Sequence, residues 1–247
     1  MREIAAAVAE PIGRLGGAFM RSREAKAYSV ESGLTGWTPY FRGRCGVLGD
    51  VDADVVAAAA GFFPVATVRK AWERGAGLPT ATAVTRYADV AQGFGRRKLD
   101  GFAESARLAD LLQRVVDGGP VVAAPLFAGW RAVPLPEDDR ARVIQLAHVV
   151  RELRGGLHIV AVLASGLNPL EAVLSGRSAL LLDGEPNAEY FGWPRPYPEV
   201  TDDVRRRRDD AERLTDALMA PAFAPLGTTG ADELVTLLQK AERAVFG

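Results

Sequence analysis

The only two histidines of the chain stand at the two ends of one short stretch, HVVRELRGGLH, at residues 148–158. Three charged residues lie between them: Arg151, Glu152 and Arg154. Residues three or four apart share one face of a helix, so His158 is expected beside Arg154 and His148 beside Glu152. Guanidinium groups bind carboxylates or phosphates, and histidine exchanges protons near neutral pH. The stretch therefore predicts an anion-binding site in which His158 or His148 serves as a hydrogen-bonding or acid–base group.

Apolar sequence on both sides of this stretch predicts that it belongs to a central helix. Charges on such a helix must be paired or must line a cavity, because burying an unpaired charge is costly. Gly155 and Gly156 each cost roughly 1 kcal/mol against alanine in a helix interior, which indicates a close backbone approach or room for a ligand. A purely structural Arg–Glu pair with two satisfied histidines is an equal alternative. No metal site is predicted, since two histidines so far apart on one helix do not converge on one ion.

A second segment with chemical potential is YFRGRCGVLG, at residues 40–49. Arg42 and Arg44 flank a glycine, and a glycine-rich loop holding two guanidinium groups can bind a carboxylate or phosphate in bidentate fashion. We expect both arginines to approach Arg151 and its neighbours around one pocket. A neighbouring arginine can also make the Cys45 thiol reactive. The simpler interpretation, that Cys45 is a small core residue, is favoured.

A third segment, YFGWPRPYP at residues 190–198, is dense in aromatic residues and prolines. Such a stiff surface suits the covering of a pocket. A ring of aromatic side chains is therefore expected to give apolar contact to a ligand: Trp37, Tyr190, Trp193 and Tyr197. The alternative is a loop that plugs one end of the core.

The elements that position these segments are predicted to be helical throughout. Helical periodicity and scarce strand-like alternation predict an all-α, single-domain bundle of about eight to ten helices around a central helix at 137–164. Residues 183–198 are expected to form a proline- and aromatic-rich loop, and SALLL at 178–182 is the one candidate strand. On a later helix, Arg208 and Glu212 are four apart and are expected to pair on a solvated face.

Composition limits the partners. The 30 lysines and arginines nearly balance 31 aspartates and glutamates, so no global basic field attracts nucleic acid or anionic lipid. A single cysteine rules out an intrachain disulfide and suits a reducing compartment. No apolar run approaches the roughly 20 residues that cross a bilayer. We expect a cytoplasmic protein without membrane or nucleic-acid partners.

These segments also carry a family resemblance. GLTGW, YFRGRCGVLG, DVVAAAAGFFP, PLFAGWRAVPLP, RELRGGLH and LTDALMAPAFAPLG together resemble the SalK-like helix-turn-helix family, a large actinobacterial family often encoded near biosynthetic genes. The similarity runs over most of the chain. It carries the family pattern onto two sets of residues: Arg42, Gly43 and Arg44, and Arg151, Glu152, Arg154, Gly155 and His158. Many members have a winged-helix-like segment before the last two helices; residues 183–198 are expected to replace it here, which argues against DNA binding.

The sequence thus predicts a small-molecule binding protein with an internal polar pocket for an anionic or polar metabolite. It does not decide whether the protein is a catalyst in secondary metabolism, and it names no cofactor. One alternative is a transcriptional regulator, because VLASGLNPLEAVL at 162–174 resembles a helix-turn-helix, although no base-reading cation precedes Arg177. The other is a structural dimer partner, so a homodimer is left open.

Overall fold

The computed structural model describes residues 1–176 and 183–247, and regular structure in these residues is entirely helical. Thirteen α-helices occur within the described residues: α1 (Arg2–Ala18), α2 (Arg23–Ser32), α3 (Thr38–Cys45), α4 (Ala53–Ala60), α5 (Val65–Arg74), α6 (Thr80–Lys98), α7 (Ser105–Gly118), α8 (Pro125–Trp130), α9 (Asp139–Ala164), α10 (Pro169–Ser175), α11 (Gly184–Phe191), α12 (Asp202–Phe223) and α13 (Gly227–Phe246). The predicted all-α bundle is confirmed. The candidate strand at 178–182 lies outside the described residues.

Helix α9 is the centre of the bundle, as the sequence predicts. The Asp138 side chain caps its first turn by accepting a hydrogen bond from the Ala141 amide at 3.0 Å, and Asp139 adds negative charge where the helix dipole favours it. At 26 residues it is the longest helix in the described chain. Helices α1, α6, α7, α8 and α12 pack around it. A helix surrounded in this way must be apolar on several sides, which explains the apolar residues before and after its charged stretch.

Three hydrophobic clusters stabilise the described structure. The main core surrounds α9 and contains the largest fully buried rings: Trp130, Phe19, Phe41, Phe127 and Phe223. Two smaller clusters join α10 to its neighbours, one including Val162 and Ala211, the other Leu174 and Ala188. Phe62 packs against both smaller clusters. These clusters fix α10, α11 and the first half of α12 beside the main core.

Two segments that were expected to be loops contain short helices. Residues 40–49 form the end of α3 followed by a 3-10 turn, and residues 183–198 contain α11, which ends at Gly192 in the left-handed conformation (φ 87°). Both helices have 8 residues, too few to be stable alone in water. Tertiary packing therefore determines them. The sequence indicates a structured loop with a short helix at 32–50, which agrees with α3, whereas helix α11 within residues 183–198 was not predicted.

The chain turns sharply after α9. Gly166 adopts a positive φ of 76°, and Asn168 and Glu171 form a reciprocal capping box that starts α10. The axes of α9 and α10 are bent by 106°. Within the described residues no single helix is long and apolar enough to cross a membrane; only α9 and α10 joined across this bend pass that test.

Candidate ligand-binding cavity

A cavity of about 1050 Å³ lies against one face of α9. Its wall also includes residues of α1–α3, α6 and α10–α12, so it joins the main core to the smaller clusters. Exposed residues such as Lys26 and Tyr190 belong to the wall, and they mark the side that opens to solvent. Small-molecule sites commonly measure roughly 300–1000 Å³, so the space is sufficient for a metabolite.

The α9 residues in the wall follow helical geometry. The wall contains Arg151, Arg154, Gly155, His158 and Ile159, which form one stripe along the helix. His148 and Glu152 are absent from the described wall, because they lie on the neighbouring face of α9, which is turned toward the core. The helix therefore divides residues 148–158 between two environments, the cavity and the core.

The first environment contains a set of residues that we call the inner charge group: Arg44, Arg151, Glu152 and His148. Arg44 donates two hydrogen bonds to Glu152, at 2.9 and 2.7 Å, and Arg151 donates a third at 3.0 Å. Glu152 is 1% exposed. Burial alone would raise the pKa of Glu152, but Arg44 and the other neighbouring charges lower it to about 2. Both arginines line the cavity, and the carboxylate is behind them.

His148 is enclosed by aromatic rings. The ring centroids of Trp130, Phe19 and Tyr87 lie 4.7, 5.3 and 5.9 Å from the His148 ring. Neither ring nitrogen has a hydrogen-bond partner among the described residues; Nδ1 lies 3.6 Å from Glu152 Oε1. Burial lowers the pKa of His148 to about 3. His148 is thus a buried core residue that does not line the described cavity wall.

The second environment contains the outer charge group: Arg154, Arg208, Glu212 and His158. All four line the cavity. Arg154 donates to Glu212 at 2.7 Å, and Arg208 donates to the other carboxylate oxygen. His158 Nε2 lies 3.9 Å from that second oxygen, and Nδ1 lies 2.8 Å from the Thr215 hydroxyl. Burial, with a smaller effect of Arg208, lowers the pKa of His158 to about 3.

Arg42 does not share the site with Arg44. Arg42 donates to the Leu78 carbonyl at 2.7 Å and to Asp50 at 2.9 Å, outside the described wall of the cavity. The reason is that residues two apart on a helix point in nearly opposite directions. The expectation of a shared pocket is therefore wrong for Arg42, because α3 is a helix and not a loop.

Two further residues of the 40–49 segment have structural roles. A Cβ atom on Gly43 would lie 2.4 Å from the Tyr87 ring, so a glycine is required where α3 crosses α6. Cys45 is fully buried, and burial raises the pKa of its thiol to about 12. The favoured interpretation of Cys45 as a small core residue agrees with this burial.

Two of the four expected aromatic residues line the cavity. Trp37 and Tyr190 are in the wall, with ring centroids 5.0 Å apart. Trp193 and Tyr197, which were expected to contact the ligand, do not line the described wall of the cavity. Trp193 donates to the Phe62 carbonyl and Tyr197 donates to the Trp193 carbonyl, each at 3.1 Å. These two residues support the wall from behind.

Sequence reasoning missed several wall residues: Tyr28, Tyr40, Phe62, Phe63, Tyr87, Asn187, Phe191, Arg208 and Glu212. A signal for Arg208 was present, because it lies four residues after Val204 and three before Ala211, both of which are buried. That spacing places Arg208 on the inward face of α12. The pairing of Arg208 with Glu212 was predicted correctly, but the pair lies in the cavity wall and not on a solvated face.

Several buried polar atoms in the wall have no hydrogen-bond partner among the described residues: Tyr28 Oη, Tyr87 Oη, Asn187 Oδ1 and Arg154 Nε. Tyr28, Tyr87 and Asn187 are 4–7% exposed. More than nine in ten buried polar groups in proteins have a partner, and an unpartnered one is costly. Four such atoms around one cavity indicate that the cavity accommodates polar partners.

The two glycines of α9 have different roles: one allows a close backbone approach, and the other leaves room in the cavity. A Cβ atom on Gly156 would lie 2.8 Å from Ala124 Cα, so Gly156 allows a close backbone approach. A Cβ atom on Gly155 would have nothing within 4 Å, and Gly155 lines the cavity. Gly155 therefore leaves space in the cavity, and Gly156 allows α9 to approach the backbone of Ala124.

The sequence model of a family described as a helix-turn-helix family matches residues 5–247. Comparisons with curated proteins and with solved structures gave no match. The matched range includes every residue of the inner and outer charge groups.

Proposed function

The chain belongs to a helix-turn-helix family, and we propose that its cavity binds a small anionic molecule with an apolar, ring-containing body. The central observation is a repeated imbalance of charge. Arg44 and Arg151 share the single carboxylate Glu152, and Arg154 and Arg208 share the single carboxylate Glu212. Each group thus has one more guanidinium than carboxylate. Excess positive charge in a partly desolvated wall favours an anionic ligand, because unpaired buried charge is costly.

The rest of the wall supports an apolar body for the ligand. Trp37 contacts Phe63, Tyr190 and Phe191, and their ring centroids lie 5.0–6.0 Å from the Trp37 ring. All four residues line the cavity. A site with one apolar wall and a few convergent polar groups is the usual form of a metabolite pocket.

An aromatic carboxylate and its neutral counterpart test this function. Isothermal titration calorimetry with 2-naphthoate is expected to show saturable binding, whereas 2-naphthamide, which has a similar shape without the charge, binds at least about tenfold more weakly. Arg151→Ala is expected to weaken 2-naphthoate binding about 10- to 100-fold, since a charge-assisted hydrogen bond contributes about 1.5–3 kcal/mol.

The matched control is Arg205→Ala, which removes an exposed arginine that pairs with Asp202 on α12. It is expected to leave binding unchanged. Arg151→Ala should still fold, because Arg44 continues to hold Glu152 through two hydrogen bonds. Equal affinity of the two probes, or equal effects of the two substitutions, would contradict the proposal.

DNA-dependent regulation is the second candidate, because the family and the bend of 106° between α9 and α10 both favour it. Helix-turn-helix motifs place two helices at about 90–120°. Helix α10, however, has the sequence PLEAVLS, which offers no lysine or arginine to a base edge, and Arg177 lies outside the described residues. A gel-shift assay over a salt series tests it: a specific complex with a steep salt dependence supports regulation.

Three finer proposals accompany these functions. We assign the chain to the SalK-like branch of the family, with residues 183–198 replacing a winged segment. We expect a cytoplasmic protein, and a homodimer is one open alternative for its assembly. Sedimentation velocity tests the dimer, and a mass corresponding to one chain of 26.4 kDa would contradict it.

A further inference from the structure

The hydrogen-bond network around His158 fixes which of its ring nitrogens has the proton. The Thr215 hydroxyl donates to the Ala211 carbonyl at 2.7 Å. A hydroxyl has one proton to donate, so toward His158 Nδ1, at 2.8 Å, the Thr215 oxygen can only accept. The proton of the neutral imidazole is therefore on Nδ1. Nε2 has a lone pair and acts as a hydrogen-bond acceptor.

His158 Nε2 is not satisfied by the protein. The carboxylate oxygen Glu212 Oε1 lies 3.9 Å from Nε2. This distance is beyond that of a hydrogen bond, and the oxygen is itself an acceptor. Asn187, on α11, contributes a further buried acceptor to the wall, and its Oδ1 has no partner among the described residues. Phe62 connects the two sides, since its ring centroid is 5.6 Å from that of His158 and it packs in the cluster containing Ala188. This end of the cavity therefore has two acceptors without a partner in the described chain, His158 Nε2 and Asn187 Oδ1, beside two arginines that are already bonded to Glu212.

The opposite part of the wall contains donors. Arg44 and Arg151 both donate to Glu152, and the guanidinium carbon of Arg44 lies 5.5 Å from the centroid of the Tyr40 ring. Tyr40 and Tyr87 line the same wall. The Tyr87 hydroxyl has no partner in the described structure. Arginine is only a donor, and a tyrosine hydroxyl can donate to an anion. The two ends of the cavity along α9 therefore differ. Within the described part of the chain, the end near Arg151 has donors and an unpartnered tyrosine hydroxyl, and the end near His158 adds acceptors to arginines that are already bonded to Glu212.

We propose that the cavity selects anions that also have a neutral O–H or N–H donor, which His158 Nε2 and Glu212 accept at the far end. This inference rests on the proposed function and adds the chemistry of the second ligand group. A neutral donor is favoured over an ammonium group, because Arg154 and Arg208 both hydrogen-bond Glu212 and would repel a second cation.

The helix sets the length of the ligand. Arg151 and His158 are seven residues apart on α9, which corresponds to a rise of about 10 Å. A rigid ring system with its carboxylate and its hydroxyl at opposite ends matches this separation better than a short acid does. The ligand class is therefore a hydroxylated aromatic carboxylate or an anion of similar length.

Three probes with one skeleton test the second group: 6-hydroxy-2-naphthoate, 6-methoxy-2-naphthoate and 2-naphthoate. Calorimetry on the full chain is expected to show the hydroxylated probe binding about tenfold more tightly than the methoxy probe, because only the former can donate to Nε2. In His158→Phe this preference should fall to within about twofold. The matched control Arg205→Ala, on the exposed face of α12, should keep the full preference.

Thr215 is a positioning residue in this account. Thr215→Val removes the acceptor for Nδ1–H, and Thr215→Ser keeps it. Nitrogen-15 spectra of the histidine ring are expected to show the Nδ1–H tautomer in the original chain and in Thr215→Ser, and a mixture of tautomers in Thr215→Val. The preference for the hydroxylated probe should weaken in Thr215→Val alone, which a general packing defect would not produce.

The outcomes separate this inference from the proposed function. If all three probes bind equally and Arg151→Ala weakens them all, the cavity binds anions and the donor-selecting role of His158 is wrong. An Nε2–H tautomer in the original chain would also overturn the inference. Absence of binding of all three probes would overturn the inference together with the function on which it rests.

Discussion

The inner and outer charge groups contain the same residue types but differ in burial. Each has two arginines on one glutamate and a histidine within 4 Å of that carboxylate, at 3.6 Å for His148 and 3.9 Å for His158. The Glu152 side chain is 1% exposed, whereas that of Glu212 is 35% exposed. The inner carboxylate is sealed behind its arginines, and the outer carboxylate faces the cavity. Residue types alone therefore do not distinguish a structural network from a binding surface.

The position of each group on α9 explains this difference. His148 and Glu152 are one turn apart on the face toward the core, and Arg154 and His158 are one turn apart on the face toward the cavity. A sequence of charged residues on one central helix therefore serves two purposes. We expect Glu152 and His148 mainly to stabilise the fold, and Arg151 and the outer group mainly to contact a ligand.

The largest expected effect comes from removing the inner carboxylate. Glu152→Ala leaves Arg44, which is 7% exposed, without its partner, and breaking a buried pair on one side costs about 3–5 kcal/mol. Glu212→Ala should cost only about 1 kcal/mol, because its site is open to solvent. Urea denaturation of both variants measures the two free energies of unfolding.

If Glu152→Ala does not fold, Glu152→Gln provides the measurement, since an amide keeps part of the hydrogen bonding. The free energy of unfolding should still fall more in Glu152→Gln than in Glu212→Gln. Equal losses of unfolding free energy at the two positions would contradict the distinction between a structural inner carboxylate and a solvent-facing outer one.

The second effect is a dependence of stability on pH. Burial lowers the pKa of both histidines to about 3 in the folded chain, against about 6.5 when unfolded. Below pH 6.5 the unfolded chain binds protons that the folded chain does not, so the stabilisation is complete above pH 6.5 and is lost as the pH falls. Each histidine should contribute a loss of roughly 2 kcal/mol between pH 6.5 and 5.

Urea denaturation from pH 7.5 to 5.0 measures this loss, in a range above the titration of unfolded carboxylates. His148→Phe places an apolar ring among the aromatic neighbours of His148 and should remove about half of the slope. A stability that does not change over this range would show that the histidines have the same pKa in the folded and the unfolded chain.

The smallest expected effect distinguishes the two glycines of α9. Gly155→Ala should raise the free energy of unfolding by about 0.5–1 kcal/mol, because alanine favours the helix and its methyl group enters open space. Gly156→Ala should lower it by about 1–3 kcal/mol, because the methyl group would meet the Ala124 backbone. Thermal unfolding of the two variants under one condition gives the sign of each change. Changes of the same sign would contradict the geometry.

The sequence predicts the central helix well, because its long apolar periodicity and acidic start are local signals. It also brings Arg44, Arg151, Arg154 and His158 into one prediction, and the structure places all four in the wall of one cavity. The assignment of His148 to the same site failed, since spacing alone does not reveal which face of a helix meets the core. The face of α9 that meets the core is set by the rings of Phe19, Tyr87 and Trp130, which belong to other elements.

The bounds of α3 and the existence of α11 were not predictable from local signals. Helices α3 and α11 lie in segments rich in glycine, proline or aromatic residues, and tertiary contacts stabilise them. The error had consequences for the site, because a loop would have allowed Arg42 and Arg44 to converge, whereas a helix separates them. Glu212 could not be assigned to the site from the sequence, since α12 approaches α9 only in the folded chain.

The most direct test compares the two histidines during ligand titration. Because the chain has only two, histidine-selective labelling gives two ring signals, which His148→Phe assigns. Addition of 2-naphthoate is expected to shift the His158 ring signals in a saturable way and to leave those of His148 nearly unchanged. Saturable shifts of equal size at both rings, or no shift at His158, would contradict the division of α9 into a structural face and a ligand-binding face.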